Sequence, residues 1–363
     1  MKEREKPGES DLWLVPESGN FQEFLGLYLE RAENFIPKFI SGRRILLPFS
    51  SPFIDKTYEE AEKLISGGKK LRGALVALGF SVAGGETKLE DAVIGASVGY
   101  EFLHNAFLVH DDIQDRATLR RGQPVAWRNF AQMVPQDSEH YGISQGISLG
   151  DMIAFWGPLL FSDRRIPGNR VREATAILSQ VVETTVIGQI LDLAPYRNID
   201  EISRDELLTI ACNKTAVYSF IAPLQIGAVL GGTRNNSPLL SAIERFGTPL
   251  GIAFQIQDDI LGVCSTEEEL GKSVFSDLAE AKKTLLFSEL YKRLREDEKQ
   301  YFLTLWGGRN VGMTGLDWVR KRARETGALA IVGEFTQTLI EEARIAIPNI
   351  SQDSRVQRIF TQL

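Results

Sequence analysis

With 363 residues, 43% of them apolar and 25% charged, the chain is long enough to bury either one large core or two ordinary ones. Its net charge of −7 excludes a nucleic-acid binder that relies on a basic surface, although a local basic pocket stays open. Two cysteines, Cys212 and Cys264, exclude a disulfide framework and lack metal-site spacing; they read as packing residues in a reducing, cytoplasmic setting.

Met1 to Lys6 are mixed in charge with no apolar run, unlike a secretory signal, and residues 1–20 read as a tail of unassigned role. From Phe21 onward apolar residues recur at three- and four-residue intervals without sustained strand-like alternation, which predicts an all-α chain forming one domain over 21–363. The spacing predicts helices over about 21–40, 55–80, 89–112, 145–160, 170–192, 203–230, 238–262, 279–304 and 328–346. The breaks carry loop chemistry: Gly84-Gly85, the Pro-Gly between Asp163 and Asn169, Gly231 to Pro238, and Gly307-Gly308. The longest oily stretch, Tyr218 to Gly232, contains Gln225 and falls short of the ~20 residues of a membrane span, so it reads as a buried helix.

One local pattern occurs twice, at two distant helix ends. The first is Leu108-Val109-His110-Asp111-Asp112-Ile113-Gln114-Asp115, in which Asp111 and Asp115, four residues apart, share a helix face and repel. Hard divalent cations offset such repulsion, magnesium in particular when a substrate phosphate completes its coordination. The second is Phe254-Gln255-Ile256-Gln257-Asp258-Asp259-Ile260-Leu261-Gly262, again after an oily helix. A single Asp-Asp pair is more often a solvated helix end, but two pairs facing each other would flank a cavity with an apolar floor and a polar mouth. That shape suits a diphosphate with a hydrocarbon tail. A site for two diphosphates also needs cations, and they occur as Lys69, Lys70 and Arg72 after Gly67-Gly68, as Arg120-Arg121, as Lys214, and as Lys272, Lys282 and Lys283.

Taken in order, GGKKLRG, HNAFLVHDDIQD with TLRRG, GQILDL, NKT, FQIQDDILG and GKSVFSDLAEAKKT resemble the trans-isoprenyl diphosphate synthases over about residues 60–290. This is the polyprenyl synthetase family, which includes farnesyl and geranylgeranyl diphosphate synthases. The resemblance implies an isoprenoid-synthase bundle with a central cavity and a magnesium-dependent, head-to-tail condensation of isopentenyl diphosphate with dimethylallyl, geranyl or farnesyl diphosphate. It implies that Asp111, Asp112, Asp115, Asp258 and Asp259 hold magnesium, three ions in the family. Arg120, Lys214, Lys272 and Lys282 would neutralise the allylic leaving group, while Lys69, Arg72, His104 and Arg121 would hold isopentenyl diphosphate. Thr215 and Gln255 would stabilise the cation, and a homodimer without a membrane span is expected. Gly262 stands where many relatives carry a third aspartate, which leaves the metal shell on that side open. Of the other histidines, His110 reads as orienting rather than catalytic, and His140 joins no zinc-like set.

A growing product should run along the apolar helix before Asp111. In the family, bulky residues four and five positions earlier shorten it. Ala106 argues for passage beyond farnesyl, Leu103 and Gly99 leave room, and Phe107 either blocks the tunnel or packs against a neighbour. Geranylgeranyl diphosphate is the expected product and farnesyl diphosphate the alternative. A class I terpene cyclase would carry Ser or Thr where Gly262 stands and Glu where Thr266 stands, and a regulatory subunit or a scaffold would not need the full set of aspartates and cations.

Overall fold

The computed structural model describes residues 12–194, 199–266, 268, 274–308 and 311–363. Helix α1 (Phe21–Ile45) starts where Asn20 accepts the Glu23 N–H, and α2 (Pro52–Ser66) where Ser51 accepts that of Ile54. Apolar periodicity runs on from α2 into α3 (Leu71–Val82), yet the chain turns between them. Gly68 at φ +76° and Lys70 at φ +47° enter the left-handed region, so the helix predicted over 55–80 is two helices. That turn aims the first residues of α3 into the interior.

Helix α4 (Glu90–Gln114) is buried along most of its length and stops at the first aspartate cluster. A hairpin follows, with Leu119–Arg120 (β1) antiparallel to Gln123–Pro124 (β2). Both of its turn residues, Arg121 at φ +53° and Gly122 at φ +71°, have positive φ, as a type I′ turn requires. After α5 (Ala126–Ala131) come two long helices, α6 (Ser138–Phe161) and α7 (Gly168–Asp192). The rod predicted over 203–230 is continuous but not uniform: α8 (Arg204–Ala211) passes into a π-helical segment, Cys212–Ile221, and then into α9 (Ala222–Leu230).

Helix α10 (Pro238–Cys264) carries the second cluster. Beyond it lie α11 (Ser276–Ala279), α12 (Leu285–Arg293), α13 (Glu296–Leu305), α14 (Met313–Glu325), α15 (Ala328–Ile350) and α16 (Ser354–Gln362). The helix predicted over 279–304 is broken at Leu294 and Arg295, both extended.

The elements pack by pairs: α4 on α6, α3 on α9, α7 on the π-helical segment, and α10 on both that segment and α15. Two apolar clusters result, and α10 joins them, giving Ala242, Ile243 and Phe246 to one and Ile252, Ala253 and Ile256 to the other. Trp13, Leu14 and Val15 belong to the first, with the Trp13 ring edge-on to Phe80 at 5.3 Å, so part of the segment read as a tail is core. Among the described residues three helical stretches, Thr87–Gln114, Gly168–Asp192 and Arg204–Leu230, are long and apolar enough to cross a membrane, where the sequence suggested none. In two of them most of the apolar window is inside the protein, 83% and 61%, whereas in Gly168–Asp192 only 28% is.

Candidate active site

The first cluster is organised by the hairpin that follows it. Arg120 on β1 reaches back to Asp112, its Nε donating to Oδ1 at 2.8 Å, and its Nη2 lies 3.3 Å from Asp111 Oδ2. Asp112 is thereby held inward, buried and paired, while Asp111 turns toward α7. There Gln189 Nε2 donates to Asp111 Oδ1 at 3.2 Å and to Gln114 Oε1 at 2.8 Å. Lys214 Nζ sits 2.6 Å from Asp192 Oδ2 and 3.7 Å from Asp111 Oδ1. A glycine at 188 permits this: a Cβ there would lie 2.6 Å from the Lys214 backbone nitrogen.

Burial and the neighbouring Asp111 push the Asp115 carboxyl up to about 6. Burial alone would lower the Lys214 ammonium, but Asp192 and Asp111 outweigh it and hold its pKa above the ordinary lysine value.

The second cluster faces the same space. Thr215 donates to Gln255 Oε1, and Gln255 Nε2 donates to Asp259 Oδ1 at 2.8 Å, which links the π-helical segment to α10. Burial, then the Asp277 carboxylate, raise Asp259 to about 8. Lys282 pairs with Asp277 Oδ1 at 2.9 Å. Lys214 lines both the small cavity bounded by Gln255, Asp259 and Lys282 and the larger one beside Asp111, so the two clusters open on one site. Asp115 also lies in the field of Lys282.

A third group gathers at the start of α3. Arg72 donates from Nη2 to Tyr218 Oη and to Ser219 Oγ, both at 2.8 Å, and its guanidinium stacks 4.5 Å from the Tyr218 ring centroid. Its Nη1 lies 3.1 Å from His104 Nε2; arginine only donates, so this nitrogen accepts. Burial, then Arg72 and Arg121, keep His104 well below the ordinary histidine value and neutral. Arg121 lies over Gly67 and Gly68, where any Cβ would meet its guanidinium within 3 Å. Lys69 is exposed, while Lys70 is buried with its ammonium 3.2 Å from the Ser66 carbonyl.

The larger cavity, about 220 Å³, is lined by Phe107, Leu108, Asp111, Val186, Ile190 and Tyr218 among others. Phe107 forms part of its wall, edge-on to Tyr218 at 5.8 Å. Ala106 and Leu103, expected to leave room along the path of the product, are buried in the packed core and are not among its lining residues. Asp258 is exposed, and Lys272 lies outside the described residues. Gln189, Asp192, Tyr218 and Ser219 join the site although the sequence pattern did not mark them individually, and Asp277, which follows Gly271-Lys272 in the sequence, joins it as well. The i,i+3 spacing of Gln189 and Asp192 was a readable signal.

Every candidate metal donor is a carboxylate oxygen, which suits a hard divalent cation. Among the described residues no three His, Cys, Asp or Glu side chains gather closely enough to hold an ion alone. A hard cation of this kind is commonly bound through one or two carboxylates and completed by phosphate oxygens.

A polyprenyl synthetase family model matches residues 55–314. The chain belongs to that family. This family member is 32% identical over 308 residues to a geranylgeranyl diphosphate synthase of Sulfolobus acidocaldarius, covering 83% of this chain and 85% of that protein. It is 33% identical over 255 residues to a short chain isoprenyl diphosphate synthase of Methanothermobacter thermautotrophicus, covering 68% and 70%. Its fold is that of a geranylgeranyl pyrophosphate synthase from Corynebacterium glutamicum, solved with isoprenyl diphosphate and magnesium, at TM-score 0.83 and 22% identity over 94% and 97% of the two chains.

Proposed function

We propose that the chain is a magnesium-dependent trans-prenyltransferase that joins isopentenyl diphosphate to an allylic diphosphate and releases geranylgeranyl diphosphate. The observation that carries this reading is the cavity of about 220 Å³ that begins at Asp111 and Lys214 and continues between apolar residues of α4 and α7. A charged mouth over an apolar groove fits a diphosphate with a hydrocarbon tail. The relatives named above support the product class.

Asp111, Asp112, Asp115, Asp258 and Asp259 would hold magnesium, three ions by family resemblance. The metal supplies electrostatic stabilisation of the departing diphosphate. Arg120, Lys214 and Lys282, with Lys272, neutralise the same group. Arg72, Arg121 and His104, with the exposed Lys69, hold isopentenyl diphosphate, and a neutral His104 donates or accepts there without adding charge. The Thr215 hydroxyl and the Gln255 carbonyl, which are bonded to each other, would favour positive charge on the allylic carbons. The isopentenyl double bond attacks that cation, and the new cation loses a proton to the released diphosphate, which regenerates an alkene.

The fold acts as one domain, and a homodimer covers the exposed apolar side chains of α6 and α7 that do not line the cavity: Ile147, Phe155, Leu159 and Ile187. A cytoplasmic protein follows. Farnesyl diphosphate is the second reading, favoured by Phe107 on the cavity wall.

The test is incubation with magnesium, labelled isopentenyl diphosphate and each of dimethylallyl, geranyl and farnesyl diphosphate, with chromatography of the dephosphorylated products. Geranylgeraniol is expected, farnesol would support the second reading, and no elongation from any starter would refute both.

A further inference from the structure

The second cluster reads Asp258-Asp259-Ile260-Leu261-Gly262, and residue 262 lies one helical turn beyond Asp258, on the face that would complete the pattern of the first cluster. The space beside that position is already taken by another side chain. A Cβ on Gly262 would lie 2.2 Å from Oδ2 of Asp277, so the obstacle is another carboxylate. Asp277 is only 3% exposed and reaches this point from α11, a four-residue helix beyond the end of α10.

Its other oxygen, Oδ1, lies 2.9 Å from Lys282 Nζ, and its backbone carbonyl accepts the Lys282 N–H at 3.0 Å. Asp277 therefore fixes Lys282 at both ends, and Lys282 lines the same cavity as Asp259 and Lys214. A buried carboxylate is costly unless it is paired and hydrogen-bonded, and the Lys282 ammonium supplies such a partner.

We propose that Asp277 is the third carboxylate of the second aspartate cluster, delivered from α11 into the space that Gly262 leaves open, and that it is the positioning residue for Lys282. This rests on the prenyl-transfer reading of the site. The departure at Gly262 then removes no charge; it moves the backbone from which the charge is presented.

The test compares Asp277→Ala, the isosteric Asp277→Asn, and Asp277→Ala combined with Gly262→Asp, all in the full chain. Titration calorimetry with magnesium and inorganic pyrophosphate gives a readout independent of turnover, and circular dichroism checks folding. Both single variants should weaken magnesium-dependent pyrophosphate binding by about tenfold or more, the usual scale for losing a residue that orients metal ligands. They should lower kcat while leaving the KM for isopentenyl diphosphate nearly unchanged. The double variant should recover most of the binding, because the introduced carboxylate enters the vacated space. Unchanged binding in the folded Asp277→Asn protein would overturn the proposal, as would a folded double variant no better than Asp277→Ala. If the parent elongates no starter while binding still falls and recovers across the series, the reaction reading fails and the assignment of Asp277 stands.

Discussion

Replacing Asp259 by asparagine should stabilise the metal-free protein at alkaline pH. Burial and the adjacent Asp277 carboxylate raise this side chain from 3.8 to about 8. At ~1.4 kcal/mol per pH unit between those values, ionising Asp259 within the fold costs about 6 kcal/mol, part of which is screened by water in the open cavity. The folded state holds this proton more tightly than the unfolded chain does. The stability Asp259 contributes is therefore complete below its unfolded pKa of 3.8 and is lost as pH rises through about 8. Asparagine has no proton to lose. Between about pH 5 and about pH 9 the variant should gain up to ~4 kcal/mol on the parent, measured by urea denaturation in chelator at a series of pH values. Adding magnesium and pyrophosphate at the alkaline end should raise the melting temperature of the parent and not of the variant. A stability difference that stays flat across this range would refute the account of Asp259 as a buried acid crowded by Asp277.

Arg72→Lys should raise the KM for isopentenyl diphosphate about tenfold or more, because an ammonium cannot keep the contacts to Tyr218, Ser219 and His104 together; saturation kinetics in that substrate alone provide the check. Phe107→Ala should lengthen the product by opening the cavity wall, and the chromatogram of dephosphorylated products reports it. An unchanged product accompanied by a stability loss of ~3 kcal/mol or more would make Phe107 a packing residue only.

Much of this site is legible because its chemistry is local. Asp111 and Asp115 share a face through helical spacing alone, whereas Gly67-Gly68 is a turn signal that a single helix over 55–80 passes over. The turn's consequence was harder to read: the periodicity of α2 and α3 is continuous, and only the positive φ of Gly68 and Lys70 separates them. The contact of Arg120 with Asp112 depends on a hairpin of two-residue strands, too short to leave an alternating pattern. Arg72 meets Tyr218 across 146 residues, and no local rule encodes that meeting. Ala106 and Phe107 are neighbours with opposite fates, since a rotation of about 100° per residue sends one into the core and the other to the cavity. Hydrophobicity does not distinguish them.

The π-helical segment bears on which changes of length the chain can tolerate. Lys214 and Thr215 near its start serve the leaving-group end, while Tyr218 and Ser219 further on hold Arg72 at the other. Deleting one residue between Cys212 and Ile221 would tighten the stretch toward an ordinary α-helix and turn one of these groups by about 100° away from the cavity. Substitution at many of these positions can preserve the frame; a change of length cannot. The number of residues in this stretch is therefore a functional property in its own right, as binding on the site as the identity of any side chain it carries.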